Sequence, residues 1–264
     1  VLMILGLDND RHILHHDDRL IKVDVFPISI DYEKFHEAYN NESVKSLRAS
    51  LQSQMQNRKI IFSVDRLDYT KGVHNSLKGY EYFLQQNPEY QEKVVFIMVI
   101  VPSRDTIPRY AERKKLIDEL ISHINSKTGN IHWMPVIYQY NSLDFHEMVA
   151  LYTACDLALI TPLSDGMNLV SKEFVASRMD KRGVLVISEM AGAARELTDA
   201  LTINPNDVLE IAQKIKEGLE MNEDQQASRL ESMQKRIANY DVKTWADDFI
   251  NELCNVKHRQ QSFQ

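Results

Sequence analysis

Glycine and proline are scarce: the 264-residue sequence holds 8 and 7 of them. An all-β sandwich or barrel needs a turn about every ten residues, so this scarcity favours a helix-rich or α/β layout. Long apolar runs are missing too, and none approaches the ~20 residues that span a bilayer. Cysteine is scarcer still. Cys155 and Cys254 stand alone, with no Cys-x-x-Cys or Cys/His spacing; they read as reduced core thiols of a cytoplasmic protein, and no metal site is expected. A basic excess is also absent. With 31 Lys and Arg against 38 Asp and Glu, the formal charge is -7, and no basic run interleaves with aromatics, so nucleic acid is not an expected partner. Any phosphate must be held locally. The opening VLMILGLDNDR has no basic segment before its apolar stretch and reads as neither signal peptide nor anchor; lacking Met, it reads as cut from something longer. What remains, 44% hydrophobic and 26% charged residues, is the composition of a globular domain with a sizeable core.

Short β-branched runs alternate with amphipathic segments about a dozen residues long. Residues 59–64 read as a buried strand, and Val73, Leu77, Tyr80 and Leu84 then form a helical stripe that Asn87-Pro88 ends. Residues 94–101, VVFIMVIV, form a strand uninterrupted enough to be covered on both faces. Further strands are expected at 131–138, 156–160, 183–188 and 200–203, with helices between them and an Asp207/Glu210 capping box opening one more. Six strands alternating with helices specify a doubly wound parallel sheet, a Rossmann-like domain over 41–240. Residues 1–40 are left as a tail and linker, and 241–264 as a closing helix with Trp245 and Phe249 and a frayed end. In such sheets ligands sit at the carboxyl ends of the strands.

Four segments follow strand ends. In Asp65-Arg66-Leu67-Asp68-Tyr69-Thr70-Lys71-Gly72, two cations and a helix start could converge on one anion, while a charge-mixed surface loop is an equal reading. No Gly-x-Gly occurs anywhere, which excludes a dinucleotide fingerprint and a P-loop as the phosphate cradle. Val101-Pro102-Ser103-Arg104 puts Arg104 off the sheet edge, a position suited to phosphate but weak as a lone signal. The segment from Thr161 to Glu173 runs through Asp165 and Gly166 into a helix starting near Asn168, whose free first-turn N–H groups can meet a pyrophosphate, with Glu173 placed to accept from a ribose. Asp165 could equally be a simple helix cap. Ser188 to Glu196 is small-residue rich and reads as close packing, and His15-His16-Asp17-Asp18 as a solvated loop.

Taken together, DRLDYTKG, VPSR and TPLSDGMNLVSKE resemble the signature segments of the trehalose-6-phosphate synthases, retaining glucosyltransferases with two Rossmann-like domains (the GT-B architecture). Phe26-Pro27-Ile28-Ser29-Ile30-Asp31 is similar to the family's FPIGID linker, and Glu189-Met190-Ala191-Gly192-Ala193 to its SE(F/M)AGA segment. The resemblance implies that the chain is the C-terminal, donor-binding domain. Arg66 and Lys71 would hold the diphosphate of UDP-glucose, Asp165 the transferred glucose, and Gly166, Met167, Asn168, Leu169 and Val170 the phosphates and sugar. Glu173 would grip the ribose, Leu143 and Met148 would line the uracil pocket, and Arg104 would bind the phosphate of the acceptor, glucose 6-phosphate. It further implies transfer without metal or cofactor to give α,α-trehalose 6-phosphate. The missing N-terminal half would be a partner, a homo-oligomer is open, and the domain alone would bind donor with little turnover. Ser29 departs from the family's Gly, which matters if that position needs positive φ. Another retaining nucleotide-sugar transferase, or a non-catalytic synthase-like subunit, are the alternatives. A phosphatase domain is excluded within these residues, because Asp8-Asn9-Asp10 lacks a following Gly-Thr, but one could still follow in a longer parent, since some relatives are fusions.

Overall fold

The structure, a computed structural model, describes residues 9–10, 12–17, 19–103 and 108–263. From the N-terminus the elements are β1 (Asn9–Asp10), β2 (Ile13–His16), β3 (Arg19–Lys22), α1 (Tyr32–Ala38), α2 (Glu42–Met55), β4 (Lys59–Arg66), α3 (Val73–Gln86) and β5 (Val94–Val101). There follow α4 (Pro108–Thr128), β6 (Val136–Gln139), α5 (Phe145–Ala154), β7 (Leu157–Ile160), α6 (Leu169–Ser177), β8 (Val184–Ser188), β9 (Leu201–Ile203), α7 (Val208–Glu220), α8 (Glu223–Asn239) and α9 (Val242–Phe263). Two compact units emerge, one of residues up to Asp31 with those from Tyr240 onward, the other Tyr32–Asn239.

The larger unit holds a six-stranded sheet in the order β6-β5-β4-β7-β8-β9, every neighbouring pair parallel. Counted from β4, that is the 3-2-1-4-5-6 order of a doubly wound sheet, whose direction of winding reverses between β4 and β7. Residues alternate between its two faces. Ile61, Phe96, Met98, Leu157, Leu159, Val184 and Val186 bury toward Leu77, Tyr80 and Phe83 of α3, Ile117 and Ile121 of α4, and Ile211 and Ile215 of α7. On the other face Phe62 meets Tyr152 of α5 edge to face at 5.8 Å, and α1, α2, α6 and α8 gather around α5 and one another. Each fully buried large side chain contributes ~2 kcal/mol of burial free energy, which explains why β5 can be apolar almost end to end.

Local details depart from the sequence reading. The 131–138 strand begins only at Val136, because Asn125 pins Val136 through both backbone groups at 2.9 Å and residues Asn130 and Trp133 form a bridged turn. Asp207 caps α7 by accepting from the N–H groups of Leu209 and Glu210, but Glu210 accepts from the Asn204 N–H rather than reciprocating. The reciprocal capping box opens α5 instead, where Asp144 and Glu147 each accept from the other's N–H at 2.9 Å. Cys155 is buried as expected, whereas Cys254 is exposed on α9.

In the smaller unit β1, β2 and β3 form an antiparallel sheet, so His15 and His16 lie in a strand rather than a loop. The apolar face of α9 is partly covered: Trp245 stacks on Phe249 and donates from Nε1 to the Phe26 carbonyl at 3.1 Å, and Phe26 meets Phe249 edge to face at 5.0 Å. Ser29 has no positive φ, so the serine there is conformationally ordinary. Among the described residues, no helix is long and apolar enough to cross a membrane, and no three His, Cys, Asp or Glu side chains group as a metal site.

Candidate functional site

The winding of the sheet reverses between β4 and β7, the place at whose carboxyl ends doubly wound sheets bind ligands, and the loops leaving these two strands are stitched together. Asp68 accepts from the Thr70 N–H and hydroxyl at 3.0 and 3.1 Å, which winds Tyr69–Lys71 into a 3-10 turn. The Thr70 carbonyl then accepts from the Leu163 N–H at 2.6 Å, across to the loop after β7. Gly72 caps the start of α3 with φ 67°, and a Cβ there would stand 1.9 Å from the Thr161 carbonyl oxygen. Only glycine satisfies both conditions.

This stitching brings Lys71 to Asp165. Its Nζ lies 2.6 Å from Asp165 Oδ2 and 3.8 Å from Asp65 Oδ1. Asp165 also accepts from the Asn168 amide at 3.2 Å and the Met167 N–H at 3.4 Å. Burial raises the Asp165 carboxyl, but the hydrogen bond and charge of Lys71, with these two donors, outweigh it and hold it below its ordinary value. Among the described residues the Asp65 carboxyl has no such donors. Burial lifts it to about 7, opposed by Lys71 and reinforced by Asp165. Arg66, the last residue of β4, pairs in register with Val101; its side chain is exposed, makes no hydrogen bond or ion pair among the described residues, and acts on Asp65 through its charge. Lys71 and Arg66 thus differ: one is locked between carboxylates, the other faces solvent.

The loop after β7 enters α6 through Asn168, buried at φ 80°, whose side chain accepts from the Ser171 N–H at 2.9 Å. That cap takes one first-turn donor and leaves the N–H groups of Leu169 and Val170 without a protein acceptor among the described residues. Asp165 is therefore not the helix cap; Asn168 is. The approach to α6 is braced from β8: Gly192 donates to the Asp165 carbonyl at 3.0 Å, Ala193 donates to that of Met167 at 2.7 Å, and a Cβ on Gly192 would stand 2.1 Å from the Gly166 carbonyl oxygen. Gly166 itself faces open space.

Glu173, on the first turns of α6, accepts from the Tyr152 hydroxyl at 2.8 Å. Burial raises its carboxyl, against the opposing hydrogen bond from Tyr152 and charge of Lys34. Leu143 and Met148, both half-buried, flank the capped start of α5, which packs beside α6. Arg104 lies outside the described residues. A cavity of about 710 Å³ adjoins the Tyr69 turn, with His74, Arg109 and Arg113 among its lining residues. Sequence reasoning did not single out Asp65, Tyr152 or Lys172, the last fully buried and paired to Glu196 at 2.8 Å. An acid inside an apolar strand run and a lysine inside a helix's buried face were the available signals.

Residues 1–255 match glycosyltransferase family 20. A bifunctional trehalose-6-phosphate synthase/phosphatase of Thermoproteus tenax is 44% identical over 264 residues, 100% of this chain and 36% of that protein. Among solved structures, the Escherichia coli protein bound with UDP-2-fluoro glucose superposes with a TM-score of 0.88 at 32% identity, covering 93% of this chain and 55% of that one. A Burkholderia xenovorans alpha,alpha-trehalose-phosphate synthase in complex with glucose-6-phosphate gives 0.88 at 29%, covering 91% and 54%. The chain thus spans from about a third to just over half of these relatives. The expected label of C-terminal domain needs correction: the N-terminal domain of Candida albicans trehalose-6-phosphate phosphatase also matches, with a TM-score of 0.90 at 33% identity over 96% of this chain, so in that relative the matched stretch lies in an N-terminal part. A doubly wound sheet whose two central loops are joined at its reversal point and a family match over residues 1–255 lead to one conclusion: this chain belongs to glycosyltransferase family 20.

Proposed function

We propose that the chain is the nucleotide-sugar-binding half of a trehalose-6-phosphate synthase, which transfers glucose from UDP-glucose to glucose 6-phosphate with retention. The observation that carries this reading is that Lys71, from the loop after β4, reaches Asp165 in the loop leading to α6 at the reversal point of the sheet, with Arg66 exposed at the end of β4 and the first-turn N–H groups of Leu169 and Val170 free among the described residues. The end of β4 supplies two cations and the loop after β7 leads into a helix N-terminus, so no glycine-rich cradle is needed. Arg66 and Lys71 would hold the donor diphosphate, Leu169 and Val170 N–H groups would meet phosphate oxygens, and Asp165 would contact the transferred glucose. Glu173, with Tyr152 fixing one of its oxygens, would accept from the ribose, and Leu143 and Met148 would flank the base. Arg104 would receive the acceptor phosphate. The departing UDP gains negative charge as the glycosidic bond breaks, so cations fixed at the diphosphate stabilise the transition state more than the bound donor. In the crevice, Lys71 would exchange its Asp165 partner for phosphate. The six-stranded segment would work with a second Rossmann-like domain, in the cytoplasm, where its two unpaired cysteines stay reduced.

Titration calorimetry with UDP tests the reading. Saturable binding that is lost in Arg66→Ala and Lys71→Ala is expected, with little or no glucose transfer by the chain alone; no UDP binding, or binding indifferent to both substitutions, overturns it.

A further inference from the structure

Two carboxylates share one ammonium at the end of β4. Lys71, Asp165 and Asp65 have side chains only 13%, 17% and 10% exposed, so the contacts of 2.6 and 3.8 Å operate largely out of water. Asp165 is also held by Asn168 and Met167, whereas Asp65 receives no hydrogen bond among the described residues. The charged and titratable groups that face Asp65 are Lys71 from the 3-10 turn, Asp165 from the loop after β7, Arg66 beside it on β4 and Tyr152 from α5. Arg66 is exposed and acts on Asp65 more weakly than Lys71 or Asp165 does, so the buried trio itself carries one more negative than positive charge. An anion that engages Lys71 adds more negative charge and draws the ammonium from its partners. The carboxylate with the least support then has most to gain from a proton.

We propose that Asp65 is a positioning residue for Lys71, and that it takes up a proton from solvent when a diphosphate engages the Lys71 ammonium. This rests on the reading of the crevice as a nucleoside diphosphate site. Asp65 in its charged form steadies the ammonium beside Asp165; in its neutral form it releases the ammonium to the ligand and removes a repulsive charge. The titration position near 7 places this exchange within the neutral range. Linkage then fixes the sign: UDP affinity falls as pH rises through the free-state value, by up to about tenfold per unit, until the bound-state value is passed.

The test is calorimetry of the full 264-residue chain with UDP at pH 7.5, in buffers of different ionisation enthalpy, which counts protons exchanged. Wild type is expected to take up about half a proton or more per UDP beyond Asp65→Asn. Asp65→Glu, which keeps the carboxyl, should restore the uptake. Comparison between variants cancels the ligand's own titration, and a purely structural role for Asp65 would not move the count. If Asp65→Asn does not fold, wild type alone decides: uptake at pH 7.5 that vanishes at pH 5 supports the proposal, and no uptake at either pH sinks it. Equal counts in wild type and Asp65→Asn overturn it while UDP binding still stands; failure of UDP to bind at all removes the site reading and this inference together.

Discussion

Gly72 passes so close to the exit of β7 that a Cβ on it would stand 1.9 Å from the carbonyl oxygen of Thr161. A side chain must therefore push apart the two loops that carry Lys71 and Asp165, on top of the strain at φ 67°. Gly72→Ala is expected to lose about 3 kcal/mol of stability. Urea unfolding would show it as a lower midpoint with unchanged slope, and a wild-type midpoint would mean that the loops give way freely.

Arg66 separates binding from folding. Its side chain is exposed and makes no hydrogen bond or ion pair among the described residues, so Arg66→Ala should leave stability within about 0.5 kcal/mol. UDP affinity should nonetheless drop at least tenfold, the scale of one charge-assisted hydrogen bond. Parallel thermal melts and UDP titrations check both halves of the expectation.

Asp65 gives stability a pH signature of known sign. Its folded-state value of about 7 stands above its ordinary 3.8, so the folded chain holds the proton longer than the unfolded one. The stability from neutral Asp65 is complete below about pH 4 and declines as pH rises through about 7. Asp65→Asn should abolish that decline and gain about 2 kcal/mol on wild type between pH 5 and pH 8. Chemical denaturation at the two pH values measures it, and a parallel pH profile in both proteins would contradict the assignment.

Tyr152→Phe removes the hydroxyl that orients Glu173 at 2.8 Å and leaves a partly buried carboxylate short of a donor. A several-fold loss of UDP affinity is expected, with inorganic pyrophosphate binding unchanged because it has no ribose. Equal losses for both ligands would place the effect on the fold instead.

The alternation of apolar runs with helical stripes made six strands and a doubly wound sheet legible, and the polar turns after them made Arg66, Lys71 and Asp165 legible as strand-end residues. Periodicity records which face a residue buries, not which strand lies beside it, so the adjacency of β4 and β7 was invisible. The Lys71–Asp165 contact, across 94 residues of sequence, was invisible for the same reason. Asp65 was hidden differently. It ends a run, Ile60-Ile61-Phe62-Ser63-Val64, whose apolar character drew attention to packing, and its chemistry arises only from burial beside Lys71. The strand expected from 131 failed because Ile131 and Met134 look like strand residues but are exposed around a turn that buries Trp133, whose Nε1 donates to the Val94 carbonyl at 2.7 Å.

The reversal of strand order also governs the order of events in folding. Helix α3 and strand β5 can form beside β4 from local sequence, but the crevice needs β7 to arrive after two intervening βα units have been laid down. Its closure is a late, long-range step of the kind that slows folding. A ligand that bridges the two loops therefore recognises only molecules that have finished that step. Its binding would slow unfolding more than it speeds folding, and would act as a kinetic clasp on the completed sheet.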